Sequence, residues 1–459
     1  MNSRPTSHMA SNTARGVPQA ALQKSPPLRI RSRLWRSDGR GALLPTILLV
    51  VQIVIMVVPQ GFNYDITAAM PTEGDAISRF TWLFLLGGGM YLAIRHMARV
   101  RALLRVINPF LLGFMLLATL SVAWSADPGV TVRRLIRMYT IVLVCIGFAI
   151  AGWNPRRFQS LMRMLLGMVL VPSAIFCYTN PDIAIHHTEG HAELMNAWHG
   201  FTVGKNILGS LASLSTILWL HALLSKQVPP FVALFGAAFS AWLLVMSKSS
   251  TSLMATVFAV AFMLILLQSP GSLRRYMPYL VGAFATLVLV YALAVLHIVP
   301  GMDAVLVPIT LITGKDLTFS GRTDIWYVLG QHIKLYPWLG TGYGAYWVGL
   351  DPTSDSYLMV QMLYYYPTEG HNGYLDVVND LGYVGGACLI AYFVNYLRQA
   401  LALMRLDRYQ GGLYLSLIFR GFLADMSESH WFSALNVDFA LMTLATVALA
   451  RSLIYSRLG

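Results

Sequence analysis

The sequence predicts an all-α, polytopic membrane protein of about twelve transmembrane helices, with one large outer loop between the ninth and the tenth. Three observations carry that prediction. Hydrophobic residues make up 56% of the 459 residues and charged residues only 12%, with a mean hydropathy of +0.59, a balance that excludes a soluble chain of this length. Apolar runs recur at the length needed to cross a hydrocarbon core of about 30 Å, roughly 20 helical residues. Basic residues gather in alternate connections between those runs, as the positive-inside bias requires.

Taken in order, residues 1–41 are polar and carry Arg4, Arg15, Lys24, Arg29, Arg31, Arg33, Arg36 and Arg40, so they read as a disordered basic tail in the cytoplasm. The first apolar run ends in Val58-Pro59-Gln60-Gly61 without a small-x-small cleavage pattern, which argues against a removed signal peptide. Helices 1–9 are expected over 42–299, near 42–59, 78–96, 107–124, 135–153, 159–178, 203–223, 229–247, 250–268 and 277–299. An outer loop over 300–371 follows, then helices 10–12 over 372–459, near 373–396, 411–427 and 434–455, with Arg420 and Asp425 interrupting the eleventh. Both ends then lie in the cytoplasm. On that side fall 23 of the 33 basic residues but only Asp38 and Asp407 of the 20 acids. The net charge of +13 therefore orients the protein. Because the basic residues are spread over all inner connections, no nucleic-acid partner is expected. Cys145, Cys177 and Cys388 lie in or at the ends of apolar runs and make no disulfide framework.

Ten cations are left over by orientation: Arg79, Arg133, Arg134, Arg137, Lys205, Lys248, Lys315, Arg322, Lys334 and Arg420. A cation in hydrocarbon costs about 2.5 to 3.5 kcal/mol on insertion scales, so one that persists there pairs with a carboxylate or binds an anionic ligand. In the outer loop, Ser320-Gly321-Arg322-Thr323-Asp324-Ile325-Trp326 reads as a helix start, with Ser320 as N-cap and Asp324 in the first turn. Ile325, Val328, Leu329 and Ile333 form an apolar face, and the helix is expected to lie along the membrane surface until Pro337 stops it. Gly340-Thr341-Gly342-Tyr343-Gly344-Ala345-Tyr346-Trp347 then reads as a flexible backbone whose rings either stack on sugars or sit in an interfacial belt.

The loop closes with Tyr364-Tyr365-Tyr366-Pro367-Thr368-Glu369-Gly370-His371-Asn372-Gly373-Tyr374-Leu375, where the tenth helix re-enters the bilayer. With an ordinary pKa near 6.5, a histidine there can accept a proton from a hydroxyl, and an adjacent Asn or Glu can fix its tautomer; a simple helix-capping or snorkelling role is the alternative. Another outer loop holds His186, His187, Glu189, His191, Glu193 and His199. These do not close to a recognisable four-ligand set, so neither metal nor cofactor is expected.

The Ser320–Trp326 and Glu369–Leu375 segments together resemble the paired motifs of the O-antigen ligase and polysaccharide polymerase superfamily. Three further stretches are similar to parts of that family: Trp124-Ser125-Ala126-Asp127-Pro128 with Arg133-Arg134, Gly204-Lys205-Asn206-Ile207-Leu208-Gly209, and Ser247-Lys248-Ser249-Ser250-Thr251-Ser252-Leu253. The resemblance implies a bacterial inner-membrane glycosyltransferase with a periplasmic active face. Such an enzyme takes an undecaprenyl-pyrophosphate-linked oligosaccharide and passes it to a hydroxyl of an acceptor glycan or lipid-linked glycan, without a metal and with inversion. It further implies that Arg322 neutralises the pyrophosphate, with Lys205, Lys248, Arg133 and Arg134 as additional clamps. His371 would be the base, oriented by Asn372 and Glu369. Family members often carry the basic residue between the serine and threonine of the seventh-to-eighth turn, where this chain has Ser250 and places Lys248 two residues earlier. That departure puts the role of Lys248 in question.

The wording of the motifs is closest to polymerases of exopolysaccharide or O-antigen repeat units, with ligation to lipid A core as the alternative. Membrane lipids, a polysaccharide flippase and chain-length or export proteins are the partners such an enzyme would meet. A transporter or flippase is the rival from another class. Transporters built of repeats keep their long loop between equivalent halves and their charges near the midplane, whereas here both lie elsewhere.

Overall fold

A computed structural model describes residues 42–58, 76–151, 154–187, 194–270, 275–295 and 322–457. The basic tail, residues 300–321 with Ser320 and Lys315, and the acids and histidine at 189, 191 and 193 lie outside the described residues.

Each of the twelve apolar stretches contains a helix. In chain order these are α1 (Leu43–Val57), α2 (Ala76–Arg95), the short α3 (Met97–Leu104), α4 (Pro109–Leu120), α5 (Pro128–Ile150), α6 (Pro155–Thr179), α7 (Lys205–Leu224), α8 (Pro230–Met246), α9 (Ser250–Gln268) and α10 (Met277–Val295). After the outer segment, with α11 (Arg322–Leu335) and α12 (Leu358–Leu363), come α13 (Gly373–Leu406), α14 (Arg408–Ala424) and α15 (Val437–Ser456). Among the described residues six helices are individually long and apolar enough to cross a bilayer. The α3–α4 pair is apolar enough only when taken together and is bent by 101°, the geometry of a broken span or a re-entrant loop. The chain is an all-α, multi-pass membrane protein, with a hairpin of Ile185–His186 (β1) and Ala197–Trp198 (β2) as its described sheet.

The starts of the helices are written locally. Asn108, Asp127 and Asn154 each precede a proline, and each side chain accepts a backbone N–H of the first turn. Proline at the first helical position needs no partner for a missing N–H, and the cap satisfies a donor that hydrocarbon would leave bare. Asp127 therefore starts α5 earlier than the apolar run alone predicts, accepting from Val130 N at 2.9 Å. As a result Arg133, Arg134 and Arg137 lie within a helix.

α15 is the axis of the bundle, with 94% of its apolar window enclosed by protein, and it packs against α5, α13 and α14. α13 runs for 34 residues and kinks at Gly382, whose φ of +64° lies in the left-handed region. A Cβ there would come within 2.2 Å of the Trp338 backbone. The kink thus makes room for the chain after α11 to press against α13. Gly342 N donates to Asp380 O at 2.9 Å, and Tyr383 N to Pro337 O at 2.8 Å.

Two expectations change here. The apolar face of α11 does not meet lipid: Ile325, Val328 and Leu329 are buried with Tyr346, Trp347 and Met359 in a small core of their own. The glycine-aromatic stretch is an inner wedge, with Tyr343, Tyr346 and Trp347 at 3%, 2% and 8% exposure. The Tyr343 hydroxyl donates to Phe432 O, and the Gly344 N–H donates to Asp380 at 2.7 Å. Such rings are unavailable for stacking on sugars.

Candidate active site

The connections 121–128, 194–204, 247–251, 336–349, 364–373 and 425–436 all meet at one end of the bundle, linked by hydrogen bonds between them. The charged chemistry lies there. Asn372 starts α13, its side-chain oxygen accepting from Tyr374 N and Leu375 N at 3.1 Å each. Its amide donates to Met426 O at 3.3 Å. The side chain is therefore engaged as a cap and a tie to the 425–436 connection, and orientation of His371 falls to Glu369.

Gly370 occupies a gap that admits no side chain, since a Cβ would meet Asp376 Oδ1 at 2.5 Å and Leu329 Cδ1 at 2.8 Å. Its N–H donates to Asp376 at 3.1 Å and its carbonyl accepts from Trp326 Nε1 at 3.0 Å. Trp326 thereby joins the two sequence motifs. One helical turn before it, Arg322 reaches across to the 425–436 connection. Its guanidinium donates to Ser427 O and, at 3.0 Å, to Glu428 Oε1. Glu428 also accepts from Asn206 Nδ2 at 2.7 Å, so the start of α7 joins the site.

His371 has a φ of +48°, an uncommon conformation for a residue with a side chain and one that marks a held position. Its Nδ1 lies 3.2 Å from Glu369 Oε1, with both side chains about one-third exposed. Burial disfavours the imidazolium, but Glu369 outweighs it, and with Glu428 also favouring the cation and Arg322 opposing it, the His371 pKa is raised. Burial likewise pushes the Glu369 carboxyl up, and His371 outweighs that, leaving it below its ordinary value. A ligand atom from each of Glu369, His371 and Glu428 falls within 4.8 Å of the others, a set able to hold a divalent cation. The Arg322 guanidinium already supplies a positive charge to Glu428 at 3.0 Å.

Behind the site, Asp425 accepts from the N–H groups of His430 and Trp431, both at 2.8 Å. The His430 ring lies between Asp425, at 3.5 Å, and Asp438, at 3.7 Å. Burial lowers the His430 pKa, but Asp438 and Asp425 prevail and raise it to about 9, so the ring is charged at neutral pH. Asp438 pairs with Arg420 at 2.7 Å, both 1% exposed. Arg420, one of the ten cations unexplained by orientation, is accounted for by this pair.

The other cations expected at a pyrophosphate have separate places. Arg134 donates to Trp347 O at 2.8 Å and packs on Gly344, while Arg133 is exposed on α5. Lys248 donates to Met195 O at 2.8 Å. Lys205 opens α7 one residue before Asn206. In the β hairpin, burial first, and then the charges of His199, Lys205 and His187, push His186 down to about 4. Sequence reasoning missed Glu428 altogether. Its signal was the crowding of Asp425, Glu428, His430 and Asp438 from the end of one apolar run to the start of the next, where ionisable groups inside hydrocarbon are costly.

The fold and this end define a class: a multi-pass helical membrane protein whose ionisable groups converge at one end of the bundle around a histidine and an arginine. A family model described as O-Antigen ligase matches residues 235–390, which include Arg322, Glu369 and His371 but not Glu428. The exopolysaccharide production protein ExoQ of Rhizobium meliloti (strain 1021) is 26% identical over 288 residues, covering 60% of this chain and 61% of that protein. Both matches support the resemblance to the O-antigen ligase and polysaccharide polymerase superfamily. The alignment thus spans less than two thirds of that relative's length.

Proposed function

We propose that the protein is an inner-membrane glycosyltransferase that moves an undecaprenyl-pyrophosphate-linked glycan to an acceptor sugar hydroxyl on the periplasmic side, polymerising exopolysaccharide or O-antigen repeat units. The convergence of His371, Glu369, Arg322 and Glu428 at one end of the bundle carries this reading. His371 Nδ1 faces Glu369, which leaves Nε2 to take the acceptor's proton. The freed oxygen attacks the anomeric carbon from the side opposite the pyrophosphate. The bond between that carbon and the pyrophosphate oxygen breaks, so the configuration inverts, and the proton leaves His371 for solvent.

Charge builds on the departing pyrophosphate, and a fixed guanidinium in a water-poor site stabilises it without reorganising. Glu428 and Ser427 O hold Arg322 on one side, while a guanidinium has five N–H donors to offer. This places the charge work on protein side chains, so chelation by EDTA is expected to leave transfer intact. Loss of activity restored by a divalent cation would reassign Glu369, His371 and Glu428 to a metal.

The similarity to a protein of exopolysaccharide production favours polymerisation. The family description favours ligation of finished chains as a second reading, with the same bond chemistry and a different acceptor. His371→Ala and Arg322→Ala, each at normal membrane abundance, should abolish long surface polysaccharide on gels while single repeat units still reach the outer face. Normal chains in either variant would remove that residue from the mechanism. Repeat units trapped inside would indicate a flippase.

A further inference from the structure

The cleft beside the motif helix is built differently from the lipid-facing surface. We infer that the cleft between the first two turns of α11 and the α12–Tyr365 segment is a subsite for one pyranose ring of the glycan, with Asp324, Tyr327 and Tyr365 as its recognising residues. This inference rests on the transferase reading and extends it to how the sugar is held.

The cleft has a volume of about 410 Å³ and is lined by Asp324, Tyr327, Val328, Met362, Leu363 and Tyr365. Sites for small ligands occupy roughly 300 to 1,000 Å³. Val328 is buried and makes an apolar floor, whereas Tyr327 and Tyr365 are 60% and 51% exposed. A pyranose presents an apolar C–H face and a rim of hydroxyls. Aromatic rings cover the first, and an ionised carboxylate accepts from two hydroxyls of the second. Asp324 and Tyr327 are three residues apart on α11, so they are neighbours on one helix face.

Tyr365 joins this cleft to the reacting centre. Burial first, and then the Asp324 carboxylate, push its phenol up, while Arg322 pulls it down. A ring seated here lies on the same helix as Arg322, which opens α11 two residues before Asp324. The buried rings of the glycine-aromatic wedge cannot serve in this way.

The ring belongs either to the donor or to the acceptor, and kinetics separate the two. The full-length protein in lipid nanodiscs would be tested with lipid-free repeat-unit oligosaccharide as the probe, by saturation-transfer NMR, and in transfer assays that vary donor and acceptor separately. Asp324→Asn and Tyr365→Ala should each weaken the oligosaccharide signal and raise one KM by about tenfold with kcat little changed. Tyr365→Phe, which keeps the ring, should retain most of the binding. A raised donor KM assigns the ring to the donor, and a raised acceptor KM assigns it to the acceptor. Unchanged KM values and an unchanged signal in both variants would overturn the subsite, as would a wild-type protein that gives no signal. His371→Ala separates the two readings: it should transfer nothing yet bind the oligosaccharide as wild type does. If His371→Ala still transfers glycan, the mechanism falls, while the binding result still decides the subsite.

Discussion

The imidazole of His371 is set by the carboxylate 3.2 Å away, and this fixes the sign of its pH response. A general base works in its neutral form, and Glu369 raises the pKa of His371 above the ordinary value near 6.5. The acid limb of kcat/KM should therefore lie above about pH 6.5. Glu369→Gln removes the cause of the rise, so the limb should move to lower pH; a limb that stays in place would separate Glu369 from the base. Arg322 makes a different claim. Arg322→Lys keeps one positive charge but loses the planar fork that bonds Ser427 O and Glu428 together. A loss of about a hundredfold or more in kcat is expected, of the size seen when one transition-state donor is removed. Recovery of full activity by lysine would show that charge alone suffices.

Helices hold these residues through features that can be broken without touching the site. Gly382→Ala puts a Cβ 2.2 Å from the Trp338 backbone at a φ of +64°. The chain following α11 should then be displaced from α13, with a lower melting temperature in detergent and a drop in transfer. The Arg420–Asp438 pair is enclosed between α14 and α15. Arg420→Ala leaves Asp438 with His430 but without the guanidinium 2.7 Å away, and breaking a buried pair from one side costs about 3 to 5 kcal/mol. Reduced membrane abundance and a lower melting temperature are the expected readouts. Arg420→Ala with Asp438→Asn should recover part of that loss, because the uncompensated charge is gone.

At the scale of the molecule, the topology we propose from the charge bias puts the active end in the periplasm and both termini in the cytoplasm. A reporter that is active only in the cytoplasm should work at the C-terminus and fail when inserted near Thr353, an exposed loop position. The reverse result would invert the topology and with it the side of the reaction. Much of this scale was legible in one dimension, since the apolar runs locate the helices, and the clusters of arginines and lysines carry the topology proposed. The Asn-Pro and Asp-Pro starts are equally local, although Asp127 was passed over and with it the early start of α5.

The sequence by itself determined the all-helical membrane class, the apolar runs in which the helices form, and two short motifs that carry Arg322, Glu369 and His371. Those signals need only neighbours along the chain. The tertiary structure decided which of the other polar residues join them: it brought Glu428 and Asn206 to Arg322, gave Arg420 to Asp438, and held Arg134 and Lys248 to backbone carbonyls. It also buried the rings of the glycine-aromatic wedge and left Tyr327 and Tyr365 beside an open cleft. The physical reason is that helices apolar on nearly every face carry little record of their rotation. The partner that a buried charge meets depends on how the helices turn against one another.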